Sequence, residues 1–441
     1  MRIGRTAGSS ADGGGIRRTV PALPVRPKIG AGPGLPSCPV AGAIFVVSGS
    51  STAQQGPVAA LVSTAGWAAA AQRVLGEAWI ATPHGLVDPA DARRRGSAPT
   101  LRSSPAPTLR HHLPAPLKTA VKDLRQWRRA RGFRIAPTGP WSGGDVAFVW
   151  QRHELFQDAG PRLAAAIGAP SVLFVPATVV WESDQWGTTR PGWGRWLERH
   201  GERPSLRAAD LVACGTEQVE EQVLRLGVAP DRILRTPSGV DLDLFDATID
   251  PDAVRRRLGL DGRFVVGWVG SFRRFHAIEQ AVDAVAAIDG ATLLLVGDGP
   301  ERPRIEQLTR DRGVDAVFTG TVEHGDLPAH LSAMDAAVVL APIGAAYHYS
   351  PLKLAEYLAS GLAVVAPAVG QLEERLTDGV DALLVPPHDL DALVAALTRL
   401  RDDPAQAARI GRAGRAAAEA DWSWDHQVRR VVAALAASSR N

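Results

Sequence analysis

The stretch Ala341–Pro367, APIGAAYHYSPLKLAEYLASGLAVVAP, decides how the rest of the chain is read. An apolar run, Ala336–Leu340, leads into it, and a second short run, Ala363–Val365, closes it. Between them Pro351–Ala359 carries helix-forming residues behind Ser350, a good N-cap. Pro351 suits the first helical position, and Gly361 is a good C-terminal stop. Two short apolar strands joined by a helix form a parallel crossover unit. The helix starts just past the carboxyl end of a strand, so its free amides point where ligands of open α/β sheets bind, and a helix N-terminus there attracts anions.

The same alternation extends in both directions. Upstream, strands are expected at Phe264–Val269, Leu293–Val296 and Ala316–Phe318, the last followed by a helix Asp326–Met334. Downstream, Ala382–Val385 closes the series. An earlier series runs through strand Ala43–Val47, helix Val58–Leu75, strand Trp79–Thr82, helix Leu117–Arg131 and strands Phe133–Ala136 and Val146–Trp150. It continues with helix Pro161–Ile167, strand Val172–Val175, helix Arg195–Arg207, strand Leu211–Cys214 and helix Glu217–Leu226. Asp91–Pro116, rich in Pro, Ser and Arg, reads as a loose loop. Two series separated by Thr236-Pro-Ser-Gly-Val-Asp predict an α/β protein of two doubly wound, Rossmann-like domains facing a central cleft. The expected division is a disordered basic tail over 1–40, a first domain over 41–236, a second over 237–420, and a C-terminal helix over 421–441 that packs back on the first domain.

Composition narrows the function classes. The chain has 441 residues with 45% hydrophobic and 22% charged, the profile of a soluble globular protein. Two cysteines, Cys38 and Cys214, exclude a disulfide-dense scaffold and a four-cysteine zinc module. No apolar run approaches the roughly 20 residues of a membrane span, so a cytoplasmic location is expected. The net charge of +3 conceals an asymmetry: residues 1–140 hold 19 Lys/Arg against 5 Asp/Glu. This half is expected to meet something anionic, either a membrane surface on which the protein sits peripherally or a phosphorylated carrier, unless the charge merely solvates a tail. No zinc finger or basic zipper is present, so no nucleic-acid partner is expected.

Several side chains are candidates for a site. Lys353 in the first helical turn opposes the helix dipole, a cost of up to ~1 kcal/mol that a bound phosphate reverses; a solvated lysine paired with Glu356 is the plainer alternative. Glu356, one turn on and on the face of Leu352 and Lys353, is an acceptor suited to ribose hydroxyls. Ser271-Phe-Arg-Arg-Phe-His276 follows a strand, and Arg273 and Arg274 offer forked donors to a diphosphate or are ordinary surface arginines. His276 is either a phosphate donor or a first-turn helix residue. Gly297 lets a backbone approach a ligand closely. In the first domain Gly49, Ser50 and Ser51 follow a strand, forming either a cleft loop or a plain turn. Arg152 and His153 follow another strand and are placed for an acceptor hydroxyl, with His153 a proton-transfer candidate or a packing residue. Trp181, Trp186, Trp193 and Trp196 suit a sugar or a lipid interface. There is no strand–GxGxxG–helix unit and no P-loop, so NAD and ATP-hydrolysis readings fall away. Asp241-Leu-Asp243 imitates a metal-binding pair but lies in the interdomain linker, and His111-His112 lacks other ligands; no metal and no cofactor are expected.

The second half resembles the nucleotide-sugar-binding domain of glycosyltransferase family 4, retaining enzymes of the GT-B fold. The resemblance rests on Pro237-Ser-Gly-Val-Asp241 with Phe245, Val266-Gly-Trp-Val-Gly-Ser271, Leu295-Val-Gly-Asp-Gly-Pro300 and Phe318-Thr-Gly-Thr-Val322. It continues through Ser350-Pro-Leu-Lys-Leu-Ala-Glu-Tyr-Leu-Ala-Ser-Gly361, Asp378-Gly-Val-Asp-Ala-Leu-Leu-Val385 and Trp422-Ser-Trp424. The first domain is similar more faintly, through Leu206-Arg-Ala-Ala-Asp210. The resemblance implies that Glu356 binds the donor ribose, that Ser350, Pro351, Leu352 and Lys353 meet the diphosphate, and that Val322 lies by the base. It implies transfer of a sugar from a nucleotide-diphosphate sugar to a hydroxyl acceptor with retention and without a metal. Where the family has a Glu eight positions before the ribose-binding one, this chain has His348, and Ser271 and His276 stand where an Arg and a Lys are usual. A variant branch with Ser-Pro-Leu-Lys-Leu is the closer match. His348, His153 and Arg273 are then the candidate catalytic groups. A non-catalytic nucleotide-sugar-binding subunit and a nucleotide-sugar epimerase are the rival readings.

Overall fold

The computed structural model describes residues 41–48, 58–94, 114–188, 190–246, 248–342, 347 and 350–438. The expected tail over 1–40 and the His111-His112 pair lie outside them, as do four candidate site residues, Gly49, Ser50, Ser51 and His348.

Thirteen strands form two sheets among the described residues. The first contains β1 (Ala41–Val46), β2 (Gly76–Thr82), β3 (Gly85–Val87), β4 (Asp145–Arg152), β5 (Ser171–Val175), β6 (Leu211–Cys214) and β7 (Ile233–Arg235), in the order β3-β2-β1-β4-β5-β6-β7. The second contains β8 (Phe264–Val269), β9 (Ala291–Val296), β10 (Ala316–Gly320), β11 (Ala336–Val338), β12 (Ala363–Pro367) and β13 (Leu383–Val385), in the order β10-β9-β8-β11-β12-β13. Every pairing is parallel except the β2–β3 hairpin. The inner strands are mostly apolar, as burial on both faces demands: Ser171–Val175 and Ala291–Val296 are buried without interruption.

The expected α/β class holds, and the helix Val58–Leu75 occupies the residues the pattern gave. Phe133–Ala136 is not a strand. Phe133 ends the helix Ala115–Gly132, and its ring is buried with Trp141, Val149 and Leu163, so these apolar residues plug the core beside the sheet instead of joining it. The loop expected at Asp91–Pro116 is helical at both ends, in Pro89–Arg94 and from Ala115. The helix expected over Arg195–Arg207 contains a π turn, Glu198–Glu202, between two α segments.

Two segments run side by side between the sheets. Val240 and the Trp422–Trp424 segment exchange backbone hydrogen bonds of 2.8 and 3.1 Å, so the linker and the returning chain cross together. The helix Trp424–Ser438 then lies on Val58–Leu75, with Trp424, Val428, Val431 and Leu435 in the core of the first sheet. Trp424 meets Trp67 at 5.6 Å between ring centroids. A Cβ on Gly66 would lie 2.3 Å from the Trp424 indole nitrogen, and one on Gly239 would lie 2.6 Å from its ring. Arg73 clasps Asp425 from outside at 2.5 Å. Trp424→Ala is expected to lower the unfolding free energy by about 3–5 kcal/mol, the range for a large aromatic removed from a core, read as a reduced denaturant midpoint. Arg73→Ala, on the exposed rim, is expected to cost under ~1 kcal/mol in the same experiment.

Candidate active site

Strand order reverses at β1/β4 in the first sheet and at β8/β11 in the second. The crossover helices leave on opposite faces at such points, opening a crevice beyond the strands' carboxyl ends. The candidate residues gather at these two places.

In the second sheet the helix Leu352–Ala359 is anchored to the end of β8, where the Tyr357 hydroxyl accepts a 2.8 Å hydrogen bond from the Val269 amide. This brings Lys353 over Trp268, with the Lys353 Nζ 4.1 Å from the ring centroid. Gly270, at φ 151°, leaves room for the ammonium: a Cβ there would sit 3.0 Å from Nζ. Burial draws the Lys353 pKa down to about 7, and Glu356 restores only part of the loss. Lys353 is therefore neither the solvated lysine nor the simple surface pair of the plainer alternative.

Glu356 is buried, and its Oε1 lies 3.1 Å from His324 Nε2. His324 stands edge-on to Phe245 at 5.4 Å. Asp241, Phe245, His324, Leu352, Glu356 and Trp424 line one pocket. His324 was not legible in the sequence: it lies 32 positions before Glu356, in a short 3-10 turn, and no local pattern links the two. Val322, just before that turn, is partly buried against the core of the second sheet.

Three expectations about these loops are corrected. Ser350 does not cap the helix. Its hydroxyl accepts from the Ser238 amide at 2.9 Å and its carbonyl accepts from the Ser238 hydroxyl at 2.8 Å, binding the helix start to the linker. Pro351 accordingly occupies the cap position and Leu352 opens the helix. Gly297 does not make room for a ligand: a Cβ there would lie 1.9 Å from the Gly270 carbonyl oxygen, so its smallness serves the packing of two backbones. His276 is not a first-turn helix residue: it ends the 3-10 turn Arg274–His276, ahead of the helix Glu279–Ala286. Burial, then Lys353 and Arg273, bring its pKa down to about 2, and its Nε2 lies 3.4 Å from the Ser271 hydroxyl. Ser271, Arg273 and Arg274 are exposed beside it. Phe275, between them, meets Trp186 of the first sheet's side at 4.7 Å.

In the first sheet, Ser48 beyond β1 donates to Glu154 beyond β4 at 2.6 Å, joining the strand ends at the switch point. Arg152 faces Phe174 at 6.0 Å, and burial lowers its pKa against the opposing pull of Glu154 and Glu182. His153 is fully buried, with Nε2 2.9 Å from Glu202 Oε2. Glu202 also accepts from the Val179 and Val180 amides at 2.8 and 3.0 Å, capping the helix Val179–Gln185. Burial pushes the Glu202 carboxyl up, but His153 and the two amides outweigh it and leave its pKa below the ordinary value. Glu202 is the last residue of the π turn.

The remaining candidates are held elsewhere. Asp241 accepts from the Asp243 and Leu244 amides and pairs with Arg73 at 3.7 Å, so it organises the linker turn. Trp193 donates to Asp123 at 3.1 Å, Trp181 packs near the β5–β6 core, and Trp196 is exposed against His200. The four tryptophans thus do not form one platform. Among the described residues, no three His, Cys, Asp or Glu side chains gather as a metal site.

Two parallel sheets with facing switch points define the GT-B fold, and solved structures agree. The chain superposes on sucrose-phosphate synthase from Thermosynechococcus elongatus with a TM-score of 0.61, 22% identity and coverage of 89% of this chain and 97% of the other. Anabaena HepE in complex with UDP-glucose gives a TM-score of 0.60 at 15% identity, covering 90% and 99%. The sequence profile described as "Glycosyl transferases group 1" matches residues 263–403. The chain is also 31% identical over 328 residues to 2-deoxystreptamine N-acetyl-D-glucosaminyltransferase of Streptomyces fradiae, covering 70% of this chain and 74% of that one. The protein belongs to the glycosyl transferases group 1 family.

The depressed Lys353 pKa has a measurable consequence. Above pH 7 the free lysine is largely neutral, so a diphosphate held beside it is expected to restore its charge and its binding to take up a proton. At pH 8 calorimetry in buffers of different ionisation heat is expected to show uptake of close to one proton on UDP or GDP binding, falling toward zero at pH 6. Affinity declines as pH rises above about 7. A folded-state pKa below the unfolded one means that burying Lys353 costs stability at and below pH 7, a cost relieved as pH rises toward its ordinary value. Lys353→Met is therefore expected to melt no lower than the parent at pH 6 while losing both the proton uptake and most nucleotide affinity.

Proposed function

We propose that the protein transfers a sugar from a nucleotide-diphosphate sugar to a hydroxyl acceptor, with retention at the anomeric carbon and without a metal. The observation that carries this reading is the half-buried Lys353 in the first turn of a helix that opens on the second sheet's switch point, one turn from the buried Glu356.

Glycosyl transfer from such a donor needs charge stabilisation on the departing diphosphate and an oxocarbenium-like sugar between the two domains. The free amides at the start of Leu352–Ala359 and a Lys353 that gains its proton supply the first without reorganisation. Arg273 and Arg274, exposed on the neighbouring loop, add forked donors. Glu356 accepts the ribose hydroxyls in the pocket it shares with His324. His153, fixed through Glu202 at the other switch point, stands on the acceptor side with Arg152. Similarity to a GDP-mannose-dependent alpha-mannosyltransferase of Mycobacterium tuberculosis, 30% identical over 267 residues, supports a nucleotide-sugar donor. Retention is taken from the family resemblance.

The test is nucleotide release from UDP-, GDP-, ADP- and TDP-sugars, each with glycan, lipid and small-molecule acceptors. One donor is expected to give acceptor-stimulated release, with the product keeping the donor's anomeric configuration by NMR. Glu356→Ala is expected to lower kcat/KM by about ten- to a hundredfold, the worth of charged hydrogen bonds. Binding without turnover across the panel points to a binding subunit, and isomerised sugar without an acceptor points to an epimerase. EDTA is expected to leave the rate unchanged; loss of activity that manganese restores contradicts the metal-independent mechanism.

A further inference from the structure

We propose that the outward face of the helix Ala115–Gly132 is a docking surface for an anionic lipid bilayer; this goes beyond the transfer reaction and does not rest on it. Lys118, Lys122, Arg125, Arg128, Arg129 and Arg131 all project from this helix as exposed cations, and none forms an ion pair among the described residues. The one acid of the helix, Asp123, is turned inward and buried. It accepts from Arg190 Nε at 2.9 Å and from the Trp193 indole at 3.1 Å. That bond set fixes the rotation of the helix about its axis, so the cationic face is held outward.

Toward one edge the exposed arc carries an apolar line. Leu117 and Leu124, two turns apart and therefore on one line, are each 46% exposed, among the most exposed large apolar side chains described. Lys118, Lys122, Arg125 and Arg129 form a stripe at helical spacing about a quarter turn or more round the helix from that line, and Arg128 continues the line one turn beyond Leu124. Arg131 lies over the Trp127 ring at 4.4 Å on the flank. A nucleic acid asks for cations aimed at phosphates and gains nothing from leucines among them. A bilayer uses both, since headgroup charge meets the cations while leucines enter the acyl boundary. The charge of residues 1–140, 19 Lys/Arg against 5 Asp/Glu, has the sign this surface requires.

The experiment is flotation of the full chain with phosphatidylcholine vesicles and with mixed phosphatidylcholine–phosphatidylglycerol vesicles, at low and high salt. The parent protein is expected to bind the mixed vesicles, to release at high salt, and to ignore phosphatidylcholine alone. The double variant Leu117→Ser, Leu124→Ser keeps every charge in the chain and is expected to lower the partition coefficient at least about fivefold. Lys122→Glu with Arg125→Glu is expected to abolish binding. All four positions are exposed, and an unchanged melting temperature verifies the fold of each variant. Undiminished binding by the leucine variant would falsify the proposal, because charge elsewhere would then suffice. Tighter binding to duplex DNA than to the mixed vesicles at equal salt overturns it in favour of a nucleic-acid face.

Discussion

Trp424 is the side chain on which the relation between the two sheets depends. It is seated where the first helix, the linker and the returning C-terminal segment meet, and two glycines, Gly66 and Gly239, are shaped around it. A single aromatic wedge there does three things at once. It buries its own area, sets the distance between the crossing segments, and commits the last helix to the far domain's core.

Within the crevice the chain accepts an electrostatic cost. Lys353 lies against an indole face and a glycine with little water, beside a carboxylate already engaged by His324. An unliganded site of this kind is uncomfortable: a cation is dehydrated and a helix dipole opposes it. The proposed diphosphate would resolve both conflicts, its charge facing the ammonium and the helix start together.

What the sequence disclosed was local. The helix behind Ser350, its stop at Gly361 (φ 70°) and most of the strand–helix alternation rest on neighbours within a few residues, and those readings survived with ends shifted by up to three residues. What it withheld was partnership. Ser350 is a proper cap by composition, yet its hydroxyl is taken by Ser238, 112 positions away. His324 becomes part of the pocket only because β10 ends beside the helix of Glu356. Phe133–Ala136 has the composition of a strand, but no sheet edge stands free where it falls, since β4 already pairs with β1 and β5. Gly297 reads as a gap for a ligand until Gly270 fills it.

The contacts between the two sides differ in kind. Near the linker they are hydrogen bonds of fixed geometry, including Ser238 with Ser350 and the Gln371 amide donating to the Gly215 carbonyl. Beside the Ser271–His276 loop the contact is Trp186 against Phe275, an aromatic pair worth about 0.5–1.5 kcal/mol beyond its buried area. Phe275 sits between Arg274 and His276 in sequence, so its contact with Trp186 ties the loop that carries the two arginines to the first domain's side.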